Sequence, residues 1–195
     1  SGGEGCLTAP FHSATCRTAG FNSIDLNTFE VPTLLLMMFL MFVGASPGSC
    51  GGGIKTTSLA LFVAILHSRL RGMMHTNIFR RTVPEELATR TLTLVMLAIL
   101  LCGASIFLLL SVELQGLSFA ESRGALLDYT FEAVSAFATV GLSLGVTAKL
   151  SPVGKIILIF LMFIGRVGLL TVTFAFIRRA RQDGIRYGEE RIMIG

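Results

Sequence analysis

Charge is the scarcest property of this sequence: only 14% of its residues are Asp, Glu, Lys or Arg, against 52% that are hydrophobic. Soluble domains carry roughly a quarter of their residues as charges, so this shortage excludes an ordinary soluble fold. A mean hydropathy of +0.74 places the chain with membrane proteins instead. The four cysteines, Cys6, Cys16, Cys50 and Cys102, form no CxxC pair and have no histidine at ligand spacing, which excludes a recognisable zinc or redox motif. They read as small packing residues, with a Cys6 to Cys16 bridge on the outer face as the alternative. His12, His67 and His75 do not cluster and read as solvated or interfacial. No nucleophile, base and orienting group fall into a recognisable arrangement, so catalysis is not expected. The net charge of +4 lacks the aromatic interleaving that nucleic-acid binding needs, and its arginines fall in two clusters beside apolar runs. A charged n-region followed by a hydrophobic core is also missing, and the chain opens on SGGEG, so it reads as the C-terminal part of a longer protein.

What is present is a repeat. FLMFVG at 39–44 returns as FLMFIG at 160–165, and a Thr-x-Gly triplet lies at one fixed distance upstream of each copy. Gly44 and Gly165, Thr18 and Thr139, and Gly20 and Gly141 are all 121 positions apart. Self-similarity held in register this way means a duplicated structural unit. Each unit reads as a short loop with a Thr-x-Gly tip followed by an apolar helix.

Residues 92–112 are uncharged and long enough to cross a hydrocarbon core of roughly 30 Å. The stretch 153–177 is also long enough, although it carries Lys155 near one end and Arg166 in the middle. A third crossing is irregular: 31–45 is apolar, 46–58 reads SPGSCGGGIKTTS, and 59–66 is apolar again, which predicts a helix broken at mid-membrane. Such a break is tolerated only where the freed backbone is buried in protein or lines a wet cavity. Arg69, Arg71, Arg80, Arg81 and Arg90 in 67–91, and Arg178, Arg179, Arg181, Arg186 and Arg191 in the tail, place both segments in the cytoplasm. The connection 113–151 then faces outside. Within it, 124–138 is too short and polar to span, has helical periodicity, and reads as a re-entrant pore helix ending just before Thr139. The first copy fits the same scheme through TAPFHSATCR. Both helices would aim the negative ends of their dipoles at the membrane centre, which favours a cation there.

The tips Thr18-Ala19-Gly20-Phe21 and Thr139-Val140-Gly141-Leu142 are therefore candidate ion sites. Dehydrating a cation requires replacement oxygens, and backbone carbonyls with a threonine hydroxyl supply them. The break holds Ser46, Pro47, Gly48, Ser49, Gly51, Gly52, Gly53 and Lys55. Its GSCGGGIKT string is not a phosphate-binding loop, because Ile54 separates the last glycine from Lys55 and a membrane helix precedes it. Glycines lend it mobility and permit close packing, with a static helix kink as the alternative. Arg166 at mid-span costs on the order of 3 kcal/mol to insert and must find partners, such as backbone carbonyls or a wet cavity; an anchor for helix packing is the alternative. The role of Lys55 stays open, and Met37, Met38 and Met41 read as packing residues.

CRTAGFNSIDL, FLMFVGASPGSCGGGIKTTS, SAFATVGLSLGVTAKLS and FLMFIGRVGLLTVTF resemble the third and fourth repeats of the Trk/Ktr/HKT superfamily of potassium transporters. The resemblance runs from about Phe11 to the end, and the tail RYGEERIMIG is most similar to the bacterial Ktr membrane subunit. It implies an all-α membrane protein built of helix, re-entrant pore loop, helix (M1-P-M2) units of potassium-channel-like architecture. Residues 1–66 would be the third repeat without its first helix, 67–91 a cytoplasmic connection, 92–177 the fourth repeat and 178–195 a cytoplasmic tail. The resemblance further implies potassium uptake through a filter containing Gly20 and Gly141, the Gly-rich loop as gate and Arg166 as the residue holding it closed. Sodium as activator, a homodimer of full-length subunits and a cytoplasmic nucleotide-binding regulatory ring follow from it too, with no cofactor bound by this chain. The rival readings are an alternating-access carrier for another small solute, which would need polar groups at mid-depth where these spans offer few apart from the Gly-rich stretch and Arg166, and a membrane scaffold for an ATPase complex.

Overall fold

The computed structural model describes residues 15–16, 20, 26–46, 51–73, 77–78, 81–115 and 119–167. Five α-helices dominate: α1 (Val31–Phe42), α2 (Thr56–Leu70), α3 (Glu85–Glu113), α4 (Phe119–Ala138) and α5 (Pro152–Val167). The one departure from an all-helical fold among the described residues is a two-residue ladder in the connection between α2 and α3, β1 (Asn77–Ile78) against β2 (Arg81–Thr82).

Helix α3 begins at Glu85, seven positions before the apolar run. Its first turns are polar and continue the helix outside the apolar slab: Glu85 and Glu86 complement the dipole at the N-terminus, and Arg90 pairs with Glu86 at 2.7 Å. That exposed pair adds at most about 0.5 kcal/mol. At 1.5 Å per residue, the 29 residues of α3 extend about 43 Å, more than a hydrocarbon core requires. Its buried stripe is Ala88, Thr91, Val95, Ala98, Cys102 and Leu109, at helical spacing and rich in small side chains. The opposite face exposes Met96, Ile99, Leu100, Phe107 and Leu108. Helix α5 repeats the pattern, burying Gly154, Leu158, Leu161, Ile164 and Gly165 while exposing Ile156, Ile159, Phe160 and Phe163. Such wide apolar faces are stable against lipid or other membrane helices, not against water. Helix α3 is the one helix among the described residues that is long and apolar enough to span alone. The second expected span, 153–177, is described only as far as Val167.

The crossing predicted as broken is broken, between Phe42 and Thr56, though its second half starts earlier and runs to Leu70, past the expected end at 66. Nor is it a simple kink. The chain leaves α1, makes an excursion and returns to its starting point: Ile54 N–H donates to the Phe42 carbonyl at 3.1 Å, and Val43 bridges Ile54 in parallel.

Helix α4 sits inside, packed on α1, α3 and α5. Every residue from Phe131 to Ala138 is buried. It starts at Phe119, five positions before the expected boundary, and ends at Ala138 as expected. The approach of α5 is set by a cap: Gly154 N–H donates to Ser151 Oγ at 3.1 Å, and Pro152 occupies the first helical position. The Ser151 N–H and hydroxyl both donate to Glu113 Oε1 at the end of α3, tying the two long helices together.

Candidate ion pathway

The C-terminus of α4 closes in a Schellman motif: Thr139 N–H donates to the Ala136 carbonyl at 3.1 Å and Val140 N–H to the Ser135 carbonyl at 3.0 Å. The left-handed position of that motif usually holds glycine. Here it holds Thr139, at φ 54°, the one non-glycine with positive φ among the described residues. A β-branched residue there costs about 1–2 kcal/mol. Thr139 Oγ1 provides the offset by accepting the Gly52 N–H at 3.0 Å. Backbone strain thus holds a hydroxyl at the helix end, facing the Gly-rich segment.

Gly20, 121 positions earlier, lies against this same turn. It has φ +65°, and a methyl built on it would overlap the Val140 carbonyl oxygen, with Gly141 Cα at 3.8 Å. Gly20 of the first Thr-x-Gly tip therefore lies beside the second tip. Gly141 has φ +88° and nothing within 4 Å of where a Cβ would stand. Its flanking side chains, Val140 and Leu142, are 5% and 2% exposed. The turn thus buries its side chains in the fold and leaves its glycine facing open space.

The Gly-rich segment is pinned beneath that turn at two places. At its neck, a methyl on Gly44 would overlap the Gly52 carbonyl oxygen, and Gly53, at φ +77°, lies against the Phe42 carbonyl and Gly44. At its tip, a methyl on Gly52 would stand 2.8 Å from Thr139 Oγ1 and 3.0 Å from the Ala138 carbonyl oxygen. The Phe42 and Phe137 rings, 5.8 Å apart, brace the end of α1 against the end of α4. Gly165, the counterpart of Gly44, does a related job elsewhere: a methyl on it would overlap the Phe137 carbonyl oxygen. The repeated glycine thus serves close backbone approach in both copies, once onto the loop and once onto the end of α4.

Of the residues predicted from sequence, Gly20, Thr139, Val140, Gly141 and Leu142 are brought together, and Gly52 joins them. Ser46 and Lys55 are exposed at the two ends of the segment, and Gly51 and Gly53 are half-buried. Thr18, Ala19, Phe21, Pro47, Gly48 and Ser49 lie outside the described residues, as do His12, His75, Cys6, Cys50 and the tail. Of the first candidate pore helix, Thr15 and Cys16 are described, and both are buried. Cys16 and Cys102 are free. Met37, Met38 and Met41 are buried, as packing requires. Arg166 follows Gly165 on α5, but its side chain is exposed and makes no ion pair or hydrogen bond among the described residues. Among the described residues no group of three His, Cys, Asp or Glu could hold a metal ion. Sequence reasoning missed the close-approach roles of Gly44 and Gly165, whose repetition was the available signal. It also passed over Glu132, a carboxylate 5% exposed on α4 that bonds the loop after Leu142.

Comparison with known proteins shows the family. The family model for TrkH, described as a cation transport protein, matches residues 1–186. The chain belongs to the TrkH family. Among its relatives, the potassium/sodium uptake protein NtpJ of Enterococcus hirae is 39% identical over 188 residues, covering 95% of this chain and 40% of that protein. Ktr system potassium uptake protein B of Vibrio alginolyticus is 39% identical over 189 residues, covering 97% of this chain and 39% of that protein. Ktr system potassium uptake protein D of Bacillus subtilis is 39% identical over 185 residues, with 95% and 39% covered. The chain therefore spans about two fifths of the length of these TrkH-family relatives. It is a membrane protein of a cation-transporter family and not an enzyme.

Proposed function

We propose that the full-length protein containing this chain takes up potassium across the cytoplasmic membrane, passively, through a filter to which the Gly20 and Gly141 loops contribute. The observation that carries this reading is the contact of Gly20 with the Val140 to Gly141 backbone, with Gly141 facing open space and Thr139 Oγ1 bonded to Gly52. In it, α3, α4 and α5 are the outer helix, pore helix and inner helix of one repeat; α1 and α2 are the two halves of the preceding repeat's inner helix. Residues 67–91 and 178–195 lie in the cytoplasm. Carbonyls of both tips replace the hydration shell of the ion, and the end of α4 adds the negative end of its dipole. The segment from Ser46 to Lys55 is the gate, and the Thr139 to Gly52 hydrogen bond is its contact with the filter. Two further pore loops come from chain outside this sequence. Sodium acts as activator, full-length subunits pair as homodimers, and a separate cytoplasmic nucleotide-binding ring regulates them, as the resemblance of the sequence to the Trk/Ktr/HKT superfamily implies.

Arg166 supports the gate as its latch. Gly165 seats α5 on the Phe137 carbonyl, which brings the next residue to the level of the filter helix's end, with its guanidinium unpaired among the described residues. In proteoliposomes of the full-length protein, potassium or rubidium influx should follow the membrane potential and stop when it is collapsed. Accumulation against the electrochemical gradient, driven by a co-substrate, would contradict passive conduction. Arg166→Ala should raise basal influx per molecule about ten-fold or more, the effect of one charged hydrogen bond that a latch would make to the closed gate. A pure packing role predicts less protein in the membrane and unchanged influx per molecule.

A further inference from the structure

Glu132 is a buried carboxylate that ion conduction as described above does not use. It lies on α4 two turns before Thr139, 5% exposed, in the part of the helix that is buried on all sides. An isolated charge there would be costly, and this one is not isolated. Ser143 Oγ donates to its Oε2 at 2.8 Å, and Thr147 Oγ1 donates to its Oε1. Each hydroxyl has one proton to give, so each carboxylate oxygen receives one donor, and the two hydroxyls also lie 2.9 Å from each other. The Gly145 N–H donates to Ser143 Oγ at 3.0 Å, which extends the carboxylate's hold to the backbone of the loop. Gly145 itself is left-handed at φ +90°, so the loop turns back on itself to present both hydroxyls to one side chain.

The loop so held begins where the filter ends. The backbone from Gly141 to Thr147 is anchored at one end by the Schellman turn and at the other by Glu132, whose hydrogen bonds go to Ser143 and Thr147 and not to Gly141. We propose that Glu132 is a positioning residue for the filter: through Ser143 and Thr147 it fixes the exit segment of the second Thr-x-Gly loop and thereby sets discrimination between potassium and sodium. Selectivity by carbonyl oxygens depends on how firmly the loop holds its geometry, and hydrogen bonds to an ionised group are about twice as strong as neutral ones. This inference rests on the filter reading above.

The test measures potassium and sodium influx in proteoliposomes of the full-length protein carrying Glu132→Gln, Ser143→Ala with Thr147→Val, or all three substitutions. Glutamine keeps the shape and one acceptor oxygen but turns an N–H toward one of the hydroxyls. The expected result is a fall of about three- to ten-fold in the potassium-to-sodium influx ratio for Glu132→Gln. The double variant should fall by a similar factor and the triple variant no further, with protein amount close to that of the parent. A brace that serves folding alone would lower the amount of protein and leave the ratio per molecule unchanged, and that result overturns the proposal. If Glu132→Gln does not accumulate, the double variant decides by the same ratio. Gly141→Ser run alongside separates the two ideas: if it lowers the ratio and the Glu132 set does not, the positioning role fails while the filter stands. If Gly141→Ser also leaves the ratio intact, the filter reading itself has failed.

Discussion

Gly20→Ala in the full-length protein is expected to reduce maximal potassium influx per molecule by at least about ten-fold, the equivalent of 1.4 kcal/mol. Two independent costs meet at this position. At φ +65° an alanine is left-handed, at about 1 kcal/mol or more. Its methyl would also overlap the Val140 carbonyl oxygen, which is backbone and cannot rotate away as a side chain could. Relief requires moving the peptide between Val140 and Gly141, so a substitution in one tip deforms the other. Rubidium influx at saturating concentration, normalised to membrane protein, measures the effect. Normal influx would mean that the two tips do not share a pathway.

Gly44→Ala is expected to raise basal influx several-fold. Its methyl would overlap the Gly52 carbonyl oxygen, and Gly52 is also the residue whose N–H holds Thr139 Oγ1. Pushing the neck of the loop outward therefore breaks the tip's bond to the filter, at a cost of about 1 kcal/mol for one neutral hydrogen bond and hence roughly five-fold in the open-to-closed ratio. Gly103→Ala is the control, because that glycine is exposed on α3 with nothing within 4 Å of a Cβ. It should leave influx unchanged and favour the helix slightly. Influx is read without regulatory nucleotide, where a closed gate holds the parent low. If Gly44→Ala conducts like the parent, the segment does not gate through Gly52.

The sequence made legible what depends on period and spacing. The repeat interval put Gly20 and Gly141 in equivalent positions before any contact was known, and the end of α4 at Ala138 followed from its helical pattern. The break after Phe42 was legible because glycine and proline cannot continue an apolar helix. Its shape was not: whether the chain kinks or returns depends on the pairing of Val43 with Ile54, and no spacing rule predicts that pairing. Thr139 was singled out as an oxygen donor, but its left-handed backbone, where glycine usually sits, became visible only with the Schellman turn. Glu132 lies within 113–151, the connection expected to face outside, and no motif singled it out. Its burial follows from Ser143 and Thr147 folding back 11 and 15 positions later in the chain. The N-terminus of α3 was placed too late because the apolar run marks what meets lipid, and the helix continues into water on Glu85, Glu86 and Arg90.

Gly141→Ser tests the filter most directly, because this position separates selectivity from folding. Nothing lies within 4 Å of where its Cβ would stand, so no packing is lost there, and the left-handed φ adds about 1–2 kcal/mol of strain. The hydroxymethyl group would project into the space that the ion is held to cross. In proteoliposomes of the full-length protein, the potassium-to-sodium influx ratio should fall about ten-fold or more, with the protein present at near-parent levels. An unchanged ratio in well-expressed protein would contradict the assignment of Gly141, and with it the filter.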